Sequence, residues 1–108
     1  TEQKKCPTSI DNTFVLDKKM KIAASLYSEK TQLKVNVFTN QPAVHIYVGG
    51  NCFGEIKGKE NAAYHTQSGI CFEAQNFPDA PNHSNFPSAI LKQGEKYHHH
   101  TIFAFEKI

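Results

Sequence analysis

GICFEAQNFPDAPNHSNFPS, residues 69–88, is the stretch of this sequence that says most about its structure. It begins as a strand, because Ile70 and Phe72 alternate with more polar positions and a period of two places Glu73 and Gln75 on the opposite face. Three prolines follow, and each fixes a backbone angle, so the loop after the strand is expected to hold one shape. A carboxylate on a strand, backed by a rigid loop, suits a positioned general base. An ordinary surface glutamate is the alternative.

The same alternation recurs along the chain and is typical of half-buried strands in an antiparallel sheet. It covers four further segments, residues 20–26, 33–38, 44–48 and 97–106. Ser28-Glu29-Lys30-Thr31 is expected to link the first two of them as a hairpin. Residues 1–12, 49–51 and 54–61 are expected to be loops, and no helix longer than two turns is predicted. The predicted fold class is therefore all-β.

Length and composition limit the possible classes of protein. The 108 residues permit one small domain with a modest core, since a chain of this size buries about 60–70% of its unfolded surface. A hydrophobic content of 39% with 20% charged residues favours a soluble globular chain over a disordered one. The net charge of +2 and the scattered lysines give no reason to expect nucleic acid. No apolar run approaches the roughly 20 residues that span a bilayer, so no membrane partner is expected.

Cysteine usage favours a reduced, cytoplasmic protein. The chain has three cysteines, Cys6, Cys52 and Cys71. Their odd number, their wide spacing and the lack of a Cys-x-x-Cys motif argue against a disulfide framework or a thiolate metal site. Buried reduced thiols are the expectation. No signal peptide is visible, although a missing N-terminus would hide one.

Six histidines raise the question of a metal site, and the triplet His98-His99-His100 is the obvious candidate. On a strand only His98 and His100 would share a face, and no carboxylate or thiol lies nearby in sequence to complete the site. Solvated strand histidines are the preferred interpretation, and no metal is predicted. His65 and His83 are interpreted as surface residues in loops.

Residues 69–97 also carry a succession of short motifs. They are Glu-x-Gln at 73–75, Pro-Asp at 78–79, Asn82, Phe-Pro at 86–87 and Leu-Lys-Gln-Gly-Glu at 91–95. This succession resembles the C-terminal signature of the galactose mutarotase (aldose 1-epimerase) family. So many matched positions within about forty residues are far more specific than a lone short motif.

The resemblance extends upstream. Residues 10–14 look like the family's Asp-x-x-Phe segment, and residues 39–49 look like its central strand, which ends in Tyr-x-Gly. Family members are much longer, single large β-sandwich domains, and this chain resembles about their last third. It also begins at Thr1 without an initiator Met. We therefore expect residues 1–108 to be a single partial domain, the C-terminal part of a mutarotase-like antiparallel β-sandwich.

That expectation has a consequence for partners. In the family the preceding portion of the domain covers one face of these sheets. Without it the chain should expose apolar surface or a strand edge, and should pair with that N-terminal portion or with another copy of itself.

The resemblance implies an aldose 1-epimerase, which interconverts the α and β anomers of an aldohexose such as galactose or glucose without a metal or organic cofactor. Glu73 matches the family's catalytic base. Asp11 matches an Asp that hydrogen-bonds sugar hydroxyls, with an ordinary turn Asp as the alternative. His45 falls where some relatives place a Gln that reaches the sugar, and Tyr47 shares its face. Gln75 either orients Glu73 or has a plain structural role.

The family's general acid is a histidine, and that residue and the other sugar-binding Arg and His residues lie in the earlier part of the domain. None of them maps onto this chain, so the chain alone is expected to be inactive. The alternative function is a non-catalytic carbohydrate-binding or structural β-module that has kept the scaffold.

Overall fold

The computed structural model describes residues 9–49 and 53–108, and in these ranges it consists almost entirely of strands and their connections. The strands are β1 (Ile10–Val15), β2 (Ala24–Ser28), β3 (Leu33–Thr39), β4 (Ala43–Val48), β5 (Phe53–Lys57), β6 (Ala63–His65), β7 (Ile70–Gln75) and β8 (Thr101–Lys107). Short 3₁₀ turns occupy Lys59–Asn61 and Ala80–Asn82. The predicted all-β class is confirmed. None of the described segments is a helix long and apolar enough to cross a membrane.

The strands form two three-stranded antiparallel sheets and one hairpin. β4 lies between β1 and β7 in the β4 sheet, and β3 lies between β2 and β8 in the β3 sheet. β5 and β6 form the hairpin. The chain passes from β3 to β4 through residues 40–42 alone. The segment after β1 is tied to both sheets, because Leu16 N donates to Pro42 O (3.0 Å) and Ala23 N donates to Val37 O (2.8 Å).

The most deeply buried side chains lie around this corner between the sheets. Val37 and Ala43 are 0% exposed, and Val44 is 1% exposed. Small and β-branched residues fit here, since backbone segments of two sheets approach closely and side chains must fill the space without polar atoms. The corner therefore fixes where β4 starts and how its side chains alternate.

The β4 sheet has one polar and one apolar face. The polar face carries Asp11, Thr13, His45, Tyr47, Glu73 and Gln75. The apolar face carries Ile10, Phe14, Val44, Ile46, Val48, Ile70, Phe72 and Ala74, with Asn12 as its one polar residue. Because side chains alternate with a period of two, a slip of one residue would exchange the faces, so this pattern sets the register.

Much apolar surface is left uncovered. The apolar face of the β4 sheet borders a cavity of about 1010 Å³ whose lining includes Phe14, Val44, Ile46 and Phe72. On the β3 sheet, Phe105 is 74% exposed, and Phe103 and Leu26 on the same face are 46% and 41% exposed. The accessible surface of the chain is 9127 Å², whereas a compact monomer of this size exposes about 6,000 Å².

Two predicted strands begin later than the alternation suggests. β2 starts at Ala24 rather than residue 20, because Asp17 forms a turn in which its carbonyl accepts from Met20 N and its side chain accepts from Lys19 N, both at 2.9 Å. β8 starts at Thr101 rather than residue 97. The segment before it pairs with Asn40 instead of continuing the strand.

Other local predictions are also wrong. β1 begins at Ile10, inside the stretch predicted to be loop, and β5 and β6 occupy much of the region from 53 to 65. His65 is the last residue of β6 and not a loop residue. The sequence of β5 and β6 lacks a regular strand alternation, because Gly54, at a φ of +79°, interrupts the register of the β5–β6 pair.

Cys71 is free, as predicted, but it is exposed rather than buried. It lies on the polar side of β7, an outer strand of the β4 sheet, where no further described strand covers it. Cys6 and Cys52 lie outside the described residues.

Candidate active site

The polar face of the β4 sheet collects the residues predicted from sequence. Thr13, His45 and Glu73 stand directly opposite one another across β1, β4 and β7. Opposed side chains of antiparallel strands project to the same face, with Cβ atoms about 4.5–5.5 Å apart. The row on one side holds Asp11, Tyr47 and Cys71, and the row on the other holds Val15, Ala43 and Gln75. Antiparallel pairing thus assembles one site from three segments that are well separated in sequence, Thr13 and His45 being 32 residues apart.

His45 connects two residues of β1. Its Nε2 lies 2.6 Å from Asp11 Oδ1, and its Nδ1 lies 2.7 Å from Thr13 Oγ1. A carboxylate only accepts, so Nε2 is the donor, and in the neutral ring Nδ1 then accepts from the Thr13 hydroxyl. The His45 side chain is 19% exposed and that of Asp11 is 70% exposed. The chain of hydrogen bonds therefore begins within the sheet and ends on a carboxylate that faces solvent.

Glu73 is exposed, and its carboxylate makes no hydrogen bond or ion pair with any other described residue. Its neighbour across the sheet, His45, directs both ring nitrogens toward β1 instead. A carboxylate with both oxygens unengaged can accept a proton from a ligand hydroxyl, which is the geometry that general-base chemistry requires.

The loop after Glu73 is held by side chains as well as by prolines. Asp79 adopts a left-handed conformation with φ 60°, and its carboxylate accepts from the Asn82 amide and bonds His83 Nε2 at 3.1 Å. The His83 ring stacks on Phe86 with centroids 4.6 Å apart, and Phe86 meets Phe77 edge-on at 5.1 Å. His83 is exposed, as predicted, yet it helps hold the loop, and its spacing of four from Asp79 was the signal for that contact.

The sequence profile of the family described as Aldose 1-epimerase matches residues 1–104. The chain belongs to the aldose 1-epimerase family. The resemblance read from the motifs is confirmed.

Relatives within this family are 31–40% identical to this chain over the aligned residues. The galactose mutarotase of Mus musculus is 40% identical over 97 residues, which are 88% of this chain and 28% of the relative. The galactose mutarotase of Homo sapiens is 39% identical over the same coverage. The aldose 1-epimerase of Haemophilus influenzae is 31% identical over 99 residues, 89% of this chain and 29% of the relative. The chain thus spans less than a third of the length of these relatives.

Two other residues expected in an aldose 1-epimerase site lie on the same face. Tyr47 is half-buried between Asp11 and Cys71 in their row. Gln75 donates from Nε2 to the carbonyl of Asn76 at 3.2 Å, and no hydrogen bond joins it to Glu73. Whether either residue contacts sugar stays a prediction.

Thr13 is the one residue of this site that sequence reasoning missed. It lies two positions after Asp11 on β1, so the period of two that places Asp11 on the polar face places Thr13 there as well. The spacing of two from Asp11 could therefore have predicted that Thr13 lies on the polar face. The hydrogen bond between Thr13 and His45 could not be predicted in this way, because it depends on the pairing of two strands distant in sequence.

An epimerase also needs an acid, and this face offers few candidates. The sequence contains no arginine, and His45 is the one imidazole on the polar face among the described residues. In its neutral form, the hydrogen on its ring is committed to Asp11. Among the described residues, the polar face therefore offers one unengaged carboxylate and one anchored carboxylate, and no second imidazole beside them.

The histidine triplet lies outside the site. His98 and His100 stack with centroids 6.2 Å apart, and both backbones bond the Asn40 side chain. His99 bonds Tyr97 OH at 3.1 Å and Thr101 Oγ1 at 2.9 Å. Within the described ranges, no group of three or more His, Cys, Asp or Glu residues is arranged to hold a metal ion.

Proposed function

We propose that Glu73 is the general base of an aldose 1-epimerase and that Asp11 binds sugar hydroxyls beside it. The single observation that carries the proposal is the register that sets an unpaired Glu73 opposite His45, one row from Asp11. Membership of the family supports it. The mouse and human relatives are named galactose mutarotases, which favours an aldohexose such as galactose or glucose as substrate.

The proposed reaction needs two proton transfers. Glu73 takes the proton from the C1 hydroxyl, the bond between C1 and the ring oxygen breaks, and an acid protonates that oxygen. The open-chain aldehyde rotates about C1–C2, and the reverse steps close the ring on the other face of the carbonyl. A carboxylate and an imidazole suit these transfers near neutral pH. No electron or group is gained or lost overall, so the reaction consumes no oxidant, reductant or group donor.

We propose further that the remainder of the β-sandwich, N-terminal to this segment, provides the acid and covers the apolar face. Three observations support this. The relatives are more than three times as long as the matched segment. Among the described residues, the one imidazole of the polar face, that of His45, already bonds Asp11 and Thr13. The cavity of about 1010 Å³ beside Phe14 and Phe72 is bordered by apolar side chains that a packed domain would bury. Residues 1–108 would then be one part of a domain, and a cytoplasmic location stays a prediction.

A non-catalytic carbohydrate-binding module is the second candidate for the chain by itself. The exposed Asp11 carboxylate, fixed by His45, can accept hydrogen bonds from sugar hydroxyls without any acid being present. Binding of galactose without anomer exchange by the complete protein would favour this function.

Polarimetry separates the two candidates. The approach of pure α-galactose to anomeric equilibrium is followed with the complete protein, with residues 1–108 alone, and with residues 1–108 mixed with the separately made N-terminal portion. We expect activity in the first and third samples and little or none in the second, because one positioned base without an acid gives only a small rate enhancement. Full activity of residues 1–108 alone would contradict the proposed division of the site.

A further inference from the structure

We infer that His45 is a positioning residue that holds the Asp11 carboxylate in place and does not itself touch the sugar. The inference rests on the proposed function, in which Asp11 binds sugar hydroxyls. It assigns this chain a hydrogen-bonded unit, Thr13–His45–Asp11. The solvent-facing end of this unit, the Asp11 carboxylate, is the group that binds the sugar.

The ring has no polar atom to spare for a ligand. Nε2 donates to Asp11 at 2.6 Å, and Nδ1 accepts from Thr13 at 2.7 Å. An imidazole carries two nitrogens and no other strong donor or acceptor. A sugar hydroxyl could reach His45 only by displacing one of the two bonds. For the same reason the neutral imidazole cannot serve as the acid that protonates the ring oxygen of the sugar, because its one N–H already donates to Asp11.

Asp11 needs such an anchor. It lies on β1, an outer strand of the β4 sheet, with its side chain 70% exposed. A carboxylate in that environment samples several rotamers, and a ligand that binds one of them must overcome the lost freedom. The bond from the half-buried His45 ring removes that cost in advance, and a hydrogen bond to a charged acceptor is stronger than one between neutral groups.

Thr13 completes the unit by fixing the ring. Its β-branched side chain is stiff at χ1, and it stands directly opposite His45 in the register. Because its hydroxyl donates to Nδ1, the ring hydrogen stays on Nε2, where it faces Asp11. Without that hydroxyl the other tautomer would become accessible, and Nε2 would then repel the carboxylate instead of binding it.

Nitrogen NMR of the imidazole tests the hydrogen bonds without any sugar. In the complete protein, ring ¹⁵N shifts of His45 should report protonated Nε2 and acceptor Nδ1, and comparison with the His45→Gln spectrum identifies the His45 signals among those of the other histidines. Thr13→Val keeps the shape and removes the donor, so the Nδ1 shift should move. A His45 ring with its hydrogen on Nδ1, or a shift unaffected by Thr13→Val, would overturn the inference.

A double-mutant cycle tests the function of the unit. His45→Leu should raise the KM for galactose about tenfold or more with a smaller change in kcat, since a ligand-holding bond acts on the ground state and the transition state alike. The same change in an Asp11→Ala background should have almost no further effect, because the residue acts through Asp11. His45→Gln, with an amide that can donate to Asp11 and accept from Thr13, should restore most of the affinity.

The outcomes separate this inference from the function on which it rests. Equal effects of His45→Leu in both backgrounds would show that His45 contacts the sugar directly and would overturn the positioning role alone. An unchanged KM in Asp11→Ala would overturn the sugar-binding role of Asp11 and the positioning role with it. Absence of anomer exchange in the complete protein would overturn the proposed function, while the NMR shifts would still decide the hydrogen-bonded unit.

Discussion

Glu73 stands directly across the β4 sheet from His45, and yet no hydrogen bond joins their side chains. The imidazole is held instead by Thr13 and Asp11 on the strand at its other side. The two carboxylates of the site thus differ in state, one anchored and one unengaged. This asymmetry suits one group that holds a ligand and another that exchanges a proton with it.

Replacing Glu73 by Gln should slow anomer exchange in the complete protein by about 10²–10⁴-fold, because the amide keeps the shape but cannot accept the C1 proton. Polarimetry with α-galactose measures the rate. Glu55→Gln on β5 is the matched control, since it removes an exposed strand carboxylate outside the β4 sheet and should leave the rate unchanged. An undiminished rate in Glu73→Gln would remove Glu73 from the mechanism.

Asp79→Ala should destabilise the protein by about 1–2 kcal/mol, because Ala is strained at the left-handed φ of 60° and accepts no bonds from Asn82 or His83. Asp79→Asn tolerates that φ and keeps an acceptor oxygen, so its effect should be smaller. Denaturant unfolding of both variants gives the comparison. If both variants lost the same unfolding free energy, neither the left-handed backbone conformation nor the acceptor oxygen of Asp79 would explain its contribution to stability.

Asn36→Ala should cost about 1–3 kcal/mol of unfolding free energy, because Asn36 is buried on β3 and bonds both Ser25 (2.6 Å) and Glu106 (2.9 Å). The partly exposed ion pair between Lys34 and Glu106 should matter less, and Lys34→Ala should cost about 0–1 kcal/mol. Chemical denaturation measures both. A larger loss for Lys34→Ala than for Asn36→Ala would reverse this ranking.

Residues 1–108 studied alone should self-associate through the uncovered face of the β3 sheet, where Phe105 is 74% exposed. Phe105→Lys should lower the mass seen by light scattering. Tyr27→Lys makes a matched aromatic-to-lysine change on the opposite face of the same sheet and should lower it less. Equal masses in the two variants, or a monomeric parent chain, would contradict this prediction.

Local alternation predicted β4 and β7, two of the three strands that carry the site, but neither β1 nor how the three strands pair. The period of two placed Glu73 and His45 on polar sides of their strands, and the family motif singled out Glu73 and Asp11. The row that joins Thr13 to His45 depends on antiparallel pairing between segments 32 residues apart, which no local pattern encodes.

The predictions that failed did so where a side chain or a glycine outweighed the alternation. Residues 97–100 alternate like a strand, but Asn40 bonds the backbone of this segment at His98 and His100, and β8 starts only at Thr101. Residues 54–57 looked like a glycine-rich loop, although they form part of β5, because a glycine can also bridge an irregular strand pair.

The three-residue link between β3 and β4 leaves no slack in the chain. β3 is held to β8 as far as Thr39, and β4 is held between two strands from Ala43 onward. An insertion of one residue at positions 40–42 would have to be absorbed by turning β4 over, which would send His45 into the apolar cavity and Val44 to the polar face. Over evolutionary time this corner should therefore keep its length while longer loops drift, so alignment gaps in the family should avoid it.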